Sequence, residues 1–427
     1  MRTKISELAI NGGPKAVQTD LGDIFTWPII TEEDEQAALE VLRAGKMSDL
    51  DVTMKFEEEF AAWHDVKYAL AHNTGTAALH TAMFGCHVGV GDEIICPSLT
   101  YWASALPAFS LGATIVYAEV DPNTVTIDPA DIEHRITDRT KAIIAVHYQG
   151  YPCDMDPIME IANKHGVKVI EDASHAHGGL YKGKLIGTIG HVGAFSIMSG
   201  KALPCGEGGI VITNDREIYE RAVAFGHYRR TRQMLERPDL KPYAGLPLGG
   251  CKYRMHQISS AVARVQLRHY KERMAEIQKA MNYFWDLLEG VPGLRALRPP
   301  EGSDSTMGGW YSPHGLYVAE ELGGLSIHKF CEAVRAEGIT TYPGHNLLMH
   351  LHPMLNEADI YGHGKPTRIA NSDRDVRQPK GSLPVTETMP ERIYSIPWFK
   401  HYRPRIIEEH AEAFRKVARH ADELNIE

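Results

Sequence analysis

The sequence predicts an α/β protein with a large domain built on a mostly parallel seven-stranded sheet, which helices cover, and a smaller C-terminal α+β domain. Seven short and nearly continuous apolar runs indicate strands that are buried on both faces. Helical patterns lie between most of these runs, an alternation that is typical of a parallel sheet. The chain has 427 residues, too many for one ordinary core, so we expect more than one domain.

The predicted parts are an N-terminal arm over residues 1–30, a large domain over residues 31–270 and a small domain over residues 271–427. Thr31 has the character of an N-cap because three acidic residues follow it directly. It opens a helix that we expect to end near Ala44, and a second helix is predicted over 52–63.

The seven predicted strands are 68–71, 93–96, 114–117, 141–146, 167–170, 194–197 and 209–213. The predicted helices between them are 76–86, 103–111, 129–135 and 158–165. Ligands bind at the C-terminal ends of the strands in such sheets, so we expect the chemical residues there.

The second half of the chain begins with a polar and basic stretch, 226–252, which we expect to be a long loop. A long helix over about 259–288 then leads out of the large domain. The elements predicted after it are strands near 294–297 and 315–318, a helix over 327–336 and a closing amphipathic helix over 407–424.

Composition restricts the classes of function. No apolar run is long enough to span a membrane and the N-terminus lacks a signal-peptide core, so no membrane association is expected. Six scattered cysteines without a CxxC pair favour the reducing cytoplasm. A formal net charge of −10 argues against nucleic acid as a partner.

Two motifs directly follow the first two predicted strands. Residues 72–78 (HNTGTAA) open a helix, where free backbone N–H groups and hydroxyls can bind phosphate. The same residues can be an ordinary helix cap with Thr74 or Thr76 as the capping residue. Residues 97–103 (PSLTYWA) offer an aromatic side chain that can stack on a planar cofactor or pack in the core.

A carboxylate lies at the end of a later strand, in residues 171–178 (EDASHAHG). Asp172 can hold a pyridine nitrogen protonated, which makes the ring an electron sink. His175 follows three residues later and can reach the same pocket. A metal site formed with His177 is the alternative, but no further ligand is evident nearby, so no metal is expected.

One lysine is distinguished by its surroundings. Lys201 follows an apolar run and precedes the glycine-rich turn 206–209, and burial there would lower its pKa and make the amine nucleophilic. The alternative is a solvated surface charge. An amine, an acid and a phosphate site are together what pyridoxal phosphate chemistry requires, and we expect them to surround one cofactor.

Two basic stretches have an open interpretation. In the turn 250–255 (GCKYRM), Lys252 or Arg254 can contact a phosphate or carboxylate, or the turn can simply be exposed. The basic run that begins at Arg229 can bind a pyrophosphate or a carboxylate, or form a solvated face.

The order and spacing of these motifs resemble those of the sugar aminotransferases of the DegT/DnrJ/EryC1/StrS family, within fold type I of the pyridoxal phosphate enzymes. The resemblance runs from about Trp27 to Leu267 and more loosely to the C-terminus. Its most specific parts are NTGTAALH (73–80), GDEIICPSLTYWAS (91–104), EDASHAHGG (171–179), FSIMSGK with CGEGG (195–209) and KYRM…VQL (252–267).

The resemblance implies catalytic roles for two residues: Lys201 would hold pyridoxal 5'-phosphate as a Schiff base, and Asp172 would bond the pyridine nitrogen. The other cofactor-binding residues that it implies are Gly75, Thr76 and Ser196 at the phosphate, Tyr101 stacked on the ring, His175 near the ring hydroxyl, and Lys252 at a position where the family commonly has Asn. It also implies a homodimer whose active sites lie at the subunit interface, in which the turn that carries Lys252 reaches the cofactor phosphate of the partner subunit.

The implied reaction is a ping-pong transamination from glutamate or glutamine to a nucleotide-linked keto-sugar or a keto-cyclitol. Arg229 and His345 are candidate substrate-binding residues; His345 belongs to a cluster that can line the substrate mouth. One alternative is a sugar dehydratase with the same cofactor, in which we would expect histidine to replace Lys201. The other is a regulatory homologue that has lost the chemistry.

Overall fold

The computed structural model describes residues 7–425, and its elements alternate as expected for an α/β protein. Its helices are α1 (Glu32–Arg43), α2 (Asp51–His64), α3 (Gly75–Gly85), α4 (Pro107–Ser110), α5 (Pro129–Arg135), α6 (Met155–His165), α7 (Arg216–Gly226), α8 (Tyr228–Met234), α9 (Gln257–Leu287), α10 (Ile327–Ala336), α11 (Pro353–Asn356), α12 (Pro384–Thr388), α13 (Pro404–Arg419) and α14 (Ala421–Leu424). Its strands are β1 (Tyr68–His72), β2 (Glu93–Pro97), β3 (Thr114–Ala118), β4 (Thr140–Val146), β5 (Lys168–Asp172), β6 (Leu180–Tyr181), β7 (Lys184–Leu185), β8 (Val192–Ser196), β9 (Gly209–Thr213), β10 (Leu294–Ala296), β11 (His314–Tyr317) and β12 (Ile393–Ser395).

The large sheet has seven strands in the order β1-β9-β8-β5-β4-β2-β3. Strands β8, β5, β4, β2 and β3 pair in parallel, whereas β9 pairs antiparallel with both β1 and β8. Strands β1 and β8 therefore run in the same direction. The C-terminal ends of every strand except β9 meet at one edge, so the mostly parallel sheet is confirmed with one reversed strand.

The smaller sheet is antiparallel, with the order β10-β11-β12. The long helix α9 packs against α1 and α2 and also contacts α13. It therefore connects helices of the first part of the chain with a helix near its C-terminus. Strand β12 has no counterpart in the sequence prediction. Within residues 7–425, none of the helices combines the length and the apolar character needed to cross a membrane.

Two predicted elements are wrong in detail. The helix expected over 103–111 is divided into a 3-10 turn at Trp102–Ser104 and the short helix α4, which begins at Pro107 because proline has no backbone N–H and suits a first helical position. The stretch expected as a loop contains α8, where buried Arg230 pairs with Glu57 at 2.7 Å and so ties this stretch to α2.

The predicted start of α1 is confirmed. The carboxylate of Asp34 accepts hydrogen bonds from the backbone N–H and the hydroxyl of Thr31, at 2.9 and 2.8 Å. Its other oxygen accepts a hydrogen bond from the Gln266 amide at 2.7 Å. One buried carboxylate therefore both caps α1 and fastens it to α9.

The exposed side of the edge strand β3 is occupied by side chains from the second half of the chain. The carboxamide of Gln378 accepts a hydrogen bond from the Tyr117 N–H at 3.0 Å and donates one to the Tyr117 carbonyl at 2.7 Å. The buried guanidinium of Arg368 donates to the Ile115 carbonyl at 3.0 Å. These contacts satisfy backbone groups that a neighbouring strand would otherwise bind.

Candidate active site

A cavity of about 480 Å³ opens at the C-terminal edge of the large sheet, beside the N-terminus of α3. Its walls come from the loops after β1, β2, β5 and β8 and from two segments of the second half of the chain. The lining residues are Thr74, Gly75, Thr76, Leu79, Thr100, Tyr101, Ala103, Ser104, Val146, Asp172, Ser174, His175, Ser196, Met198, Lys201, Glu207, Tyr311, His345 and Asn346.

Lys201 lies in the loop between β8 and β9 and is only 8% exposed. Its backbone carbonyl accepts a hydrogen bond from the Trp27 indole at 3.0 Å, which ties the N-terminal arm to this loop. Its Nζ lies 3.7 Å from the centroid of the Tyr311 ring. Burial lowers the pKa of Lys201 to about 8, although the Asp172 carboxylate opposes the shift. The amine is therefore buried and loses its proton at a lower pH than an ordinary lysine, as its sequence context predicts.

The lowered pKa predicts how the stability of the cofactor-free protein depends on pH. The unfolded chain binds more protons than the folded one between pH 8 and 10.5, so stability rises with pH across that window, and the cost of burying the charge is fully present below pH 8. Lys201→Met removes this effect. Urea unfolding at pH 7 and pH 10 should show the stability gap between the variant and the wild type narrow by roughly 2 kcal/mol. A gap that stays constant would contradict the burial of a charged amine.

Asp172 ends β5, and both of its carboxylate oxygens are oriented. Oδ1 accepts a hydrogen bond from the backbone N–H of Ser174 at 3.1 Å, and Oδ2 accepts one from the hydroxyl of Ser104 at 2.7 Å. The Ser104 hydroxyl in turn lies 2.9 Å from that of Thr100. The loop after β2 therefore holds the acid in one orientation at the cavity wall.

Removal of the Ser104 hydroxyl should weaken the hold on the Asp172 carboxylate, which still accepts the N–H of Ser174. A hydrogen bond to a charged group contributes about 1.5–3 kcal/mol, so we expect Ser104→Ala to lower cofactor affinity by about tenfold or more. Fluorescence titration of the cofactor-free variant with pyridoxal phosphate measures this. Ser110→Ala, which removes a hydroxyl at the end of α4 that lies outside the cavity lining, is the control, and an equal loss in both variants would contradict the prediction.

The neighbouring acid, Glu171, does not line the cavity and instead binds backbone groups in the interior. It is fully buried, and its oxygens accept backbone N–H groups from Gly187, Ile189 and Gly190 at 2.5 to 2.8 Å. Nε2 of His147 lies 3.0 Å from a Glu171 oxygen. Burial raises the pKa of Glu171, but the hydrogen bonds from His147 and the backbone outweigh it, so the pKa of Glu171 is lowered. Adjacent residues of a strand point to opposite faces, which explains why only Asp172 enters the cavity.

The N-terminus of α3 forms the opposite end of the cavity. Thr74 caps the helix, because its hydroxyl accepts the N–H of Ala77 at 3.0 Å, while the N–H groups of Gly75 and Thr76 have no partner within the helix. A Cβ at Gly75 would come within 2.5 Å of the Ser196 Cβ, so the loop approaches the end of β8 closely. The two interpretations of the sequence are compatible. The motif is a helix cap, and the N–H groups of Gly75 and Thr76 suit a phosphate.

His175 lies in the cavity with a defined tautomer. Its Nδ1 accepts the backbone N–H of Gln149 at 3.2 Å, so the ring proton lies on Nε2. Burial, helped by the charge of Lys201, lowers the pKa of His175 well below its usual value, and the neutral ring stacks obliquely on Tyr311 with centroids 4.6 Å apart. His177 instead packs against Phe195, and residues 7–425 contain no cluster of three metal-binding side chains.

The remaining predicted residues divide into two groups. Tyr101 and His345 line the cavity, with Tyr101 48% exposed at its open side. Arg229 and Lys252 do not line it: they border a separate, shallow depression together with Arg230 and Arg254. The binding roles of Arg229 and Lys252 therefore stay predictions, and the contact expected of Lys252 is with the cofactor of a partner subunit.

Several cavity residues were missed by the sequence prediction. Ser104 and Ser174 lie inside motifs that the sequence singles out, and their polar side chains next to strand ends are the signal that could have found them. Tyr311 arrives from far along the chain and no motif marks it, whereas Asn346 directly follows His345 in the histidine cluster that the sequence singles out.

The cavity suits pyridoxal phosphate in three respects. Helix N–H groups beside a glycine that leaves no room for a side chain can bind its phosphate. Asp172 can contact the pyridine nitrogen, and the buried amine of Lys201 can form the covalent bond. These are the groups that this cofactor requires, and they share one cavity.

The comparisons with known proteins agree with this geometry. A model of the DegT/DnrJ/EryC1/StrS aminotransferase family matches residues 28–415. The dTDP-3-amino-3,4,6-trideoxy-alpha-D-glucose transaminase of Streptomyces venezuelae is 32% identical over 396 residues, which cover 92% of this chain and 93% of that protein. GDP-perosamine synthase of Caulobacter vibrioides is 39% identical over 246 residues, covering 58% of this chain and 64% of that protein.

Solved structures show the same similarity. The crystal structure of an aminotransferase from Psychrobacter cryohalolentis superimposes with a TM-score of 0.78 at 29% sequence identity. The match covers 91% of this chain and 97% of that one. The similarity thus extends over nearly the whole length of both chains.

Proposed function

This chain belongs to the DegT/DnrJ/EryC1/StrS aminotransferase family and has the fold of the fold type I aminotransferases, and from that premise we propose that it uses pyridoxal 5'-phosphate to move an amino group from glutamate or glutamine to a keto-sugar. The observation that supports this most is the shared cavity of Lys201 and Asp172, with the N-terminus of α3 at its other end. When bound, the cofactor supplies the electron sink for the reaction.

The proposed roles follow from the contacts of each side chain. Lys201 would hold the cofactor covalently, and its free Nζ would remove the proton from the α-carbon of the donor; burial lowers the pKa of this amine to about 8, which suits a base. Asp172, held by Ser104 and Ser174, keeps the pyridine nitrogen protonated. His175, whose ring proton lies on Nε2, would donate that proton to the hydroxyl of the cofactor ring.

The other cofactor contacts are proposed from their places in the cavity wall. Gly75, Thr76 and Ser196 would bind the phosphate, and Tyr101 would stack on the ring. Removal of water by these side chains strengthens each electrostatic contact inside the cavity.

The proposed acceptor is a nucleotide-linked keto-sugar. Two relatives are named for dTDP-linked and GDP-linked amino sugars, and this supports that class over a free keto-cyclitol. His345, at the cavity mouth, is the proposed acceptor contact within the chain.

We also propose a homodimer. Leu39, Leu42, Met47 and Met54 leave a set of apolar side chains exposed on α1, α2 and the turn between them, as an interface requires. In a dimer, Arg229 and Lys252 could serve the partner's cavity, which would give them the binding roles that they lack within one chain. Light scattering after size-exclusion chromatography tests the assembly, and a monomer would contradict it.

A two-stage assay tests the function. Glutamate or glutamine is added to the pyridoxal phosphate enzyme, and conversion to the amine-loaded cofactor is followed by absorbance. The loaded enzyme is then mixed with nucleotide keto-sugars and keto-cyclitols, and the acceptor that restores the starting spectrum is identified. A spectrum that no amino donor changes would favour a dehydratase or a regulatory protein, although the lysine at position 201 argues against the first.

A further inference from the structure

A buried chain of three polar side chains joins the loop after β2 to the segment that carries His345. The hydroxyl of Ser98 and Nδ1 of His350 are 2.6 Å apart, and His350 Nε2 lies 3.2 Å from a carboxylate oxygen of Glu387. Ser98 and His350 are both 0% exposed, and the Glu387 side chain is 12% exposed. The chain therefore lies beneath the wall of the cavity instead of facing it.

The hydrogen-bond partners fix every proton in this chain. Glu387 also accepts the backbone N–H of Gly381 at 2.7 Å, so it acts as an acceptor throughout and His350 Nε2 must donate to it. Nδ1 of His350 then has a free lone pair and accepts the Ser98 hydroxyl proton. The Ser98 oxygen accepts in turn from the His350 backbone N–H at 3.0 Å. Each of the three side chains thus has hydrogen-bond partners within the protein, and Ser98 and His350 have theirs in the buried interior.

A serine, a histidine and a glutamate in this order are also the groups of a hydrolase triad. Burial excludes that activity here, because no substrate carbonyl can approach a hydroxyl that is 0% exposed. The chain is therefore a structural connection between two segments.

The two connected segments form different parts of the cavity wall. The loop 98–104 carries Tyr101, and it is itself fixed to Asp172 by Ser104. The segment 344–350 carries His345 and Asn346, and it is attached to the loop only near its end, where the Met349 N–H donates to the Ser98 carbonyl at 3.1 Å. Side chains at both ends of this junction thus face the same space.

Asn346 has a specific place in this wall. Its Oδ1 accepts the hydroxyl proton of buried Tyr148 at 2.6 Å, which orients its amide N–H₂ away from Tyr148. The ring of His345 lies 6.0 Å from that of Tyr148 and 4.8 Å from that of His314. The positions of the Asn346 amide and the His345 ring therefore depend on the position of the segment 344–350.

We propose that His350 is a positioning residue that sets the distance between Lys201 and the wall formed by His345 and Asn346, and that it thereby governs binding of the larger substrate. This rests on the proposed function. Glutamate is small and binds close to the amine, whereas a nucleotide-linked sugar extends to the far wall. A shift of the wall formed by His345 and Asn346 should therefore weaken binding of the acceptor more than binding of the donor.

Four variants test the proposal in the complete holoenzyme. Ser98→Ala removes only the hydroxyl, and His350→Phe removes both imidazole nitrogens. His350→Asn keeps an acceptor near the position of Nδ1, and His350→Gln keeps a donor near that of Nε2. Ser260→Ala is the matched control, because Ser260 is also a fully buried serine, paired with Thr53 at 2.8 Å, outside the cavity lining.

We expect Ser98→Ala and His350→Phe to raise the KM for the acceptor by about tenfold while the KM for the donor changes less than about twofold. His350→Asn should restore the acceptor KM better than His350→Gln, because the contact to Ser98 is the one that holds the wall. Ser260→Ala should change neither KM.

Thermal melting of each variant separates this result from a general loss of stability. Parallel increases in both KM values, or better rescue by His350→Gln, would overturn the proposal, as would a folded Ser98→Ala variant with an unchanged acceptor KM. A wild-type enzyme that accepts no amino group from any donor would instead refute the proposed function, and with it this inference.

Discussion

Lys201→Ala is expected to lower the rate of amino transfer by more than about 10,000-fold, because one amine provides both the covalent attachment of the cofactor and the proton transfer. The cavity should otherwise survive the change. Tyr311 and Trp27 contact Lys201 through its ammonium and its backbone carbonyl, and the carbonyl contact remains in the variant. Single-turnover absorbance with glutamate or glutamine measures the rate, and cofactor content after dialysis measures the attachment.

Two further variants make this test specific. Lys201→Arg keeps the charge but lacks a nucleophilic amine, so it should be as inactive as the alanine variant. Lys400→Met removes another buried lysine, one whose pKa burial lowers to about 6, and it should keep most of the activity. An alanine variant that holds its cofactor covalently and still turns over would refute the assignment of Lys201.

Asp172→Asn is expected to lower the rate by about 100- to 1,000-fold, since it removes one preorganised charge from the reacting centre. The change is nearly isosteric. The carboxamide oxygen can still accept the N–H of Ser174, so the loss reports the charge and not the shape of the wall. The rate of the donor half-reaction measures the effect, with cofactor saturation checked in the same sample.

The adjacent acid offers a contrast within the same strand. Glu171→Gln alters a carboxylate that accepts three backbone N–H groups, so we expect a stability loss of about 1–3 kcal/mol and little change in the rate. Urea unfolding and the donor half-reaction distinguish the two outcomes. Equal rate losses in the Asp172→Asn and Glu171→Gln variants would mean that Asp172 has no special place in the chemistry.

The strands and the local motifs could be predicted from the sequence because both depend on neighbouring residues. Apolar runs located all seven strands of the large sheet to within a few residues. Asp172 and Lys201 were found because each lies beside a strand end with a recognisable turn. The same reasoning placed the motif 72–78 at the start of α3, where the proposed phosphate site lies.

Contacts between distant segments could not be predicted in this way. Tyr311 reaches Lys201 across more than a hundred residues, and no periodic pattern marks it. Helix α8 was missed because its stability comes from the buried pair of Arg230 and Glu57 instead of from an apolar stripe. Arg229 was judged by charge alone, and charge does not say which cavity a side chain faces.

The side chains along β3 have a consequence for any attempt to shorten this protein. Gln378 and Arg368 occupy the positions that an eighth strand would take, and both belong to the segment after residue 350. A fragment that ends at residue 270 would leave the outer edge of β3 without these hydrogen-bond partners, and an unpaired strand edge binds readily to any extended chain. Such a fragment should self-associate into aggregates, detectable by light scattering, even though every residue of its own sheet is present.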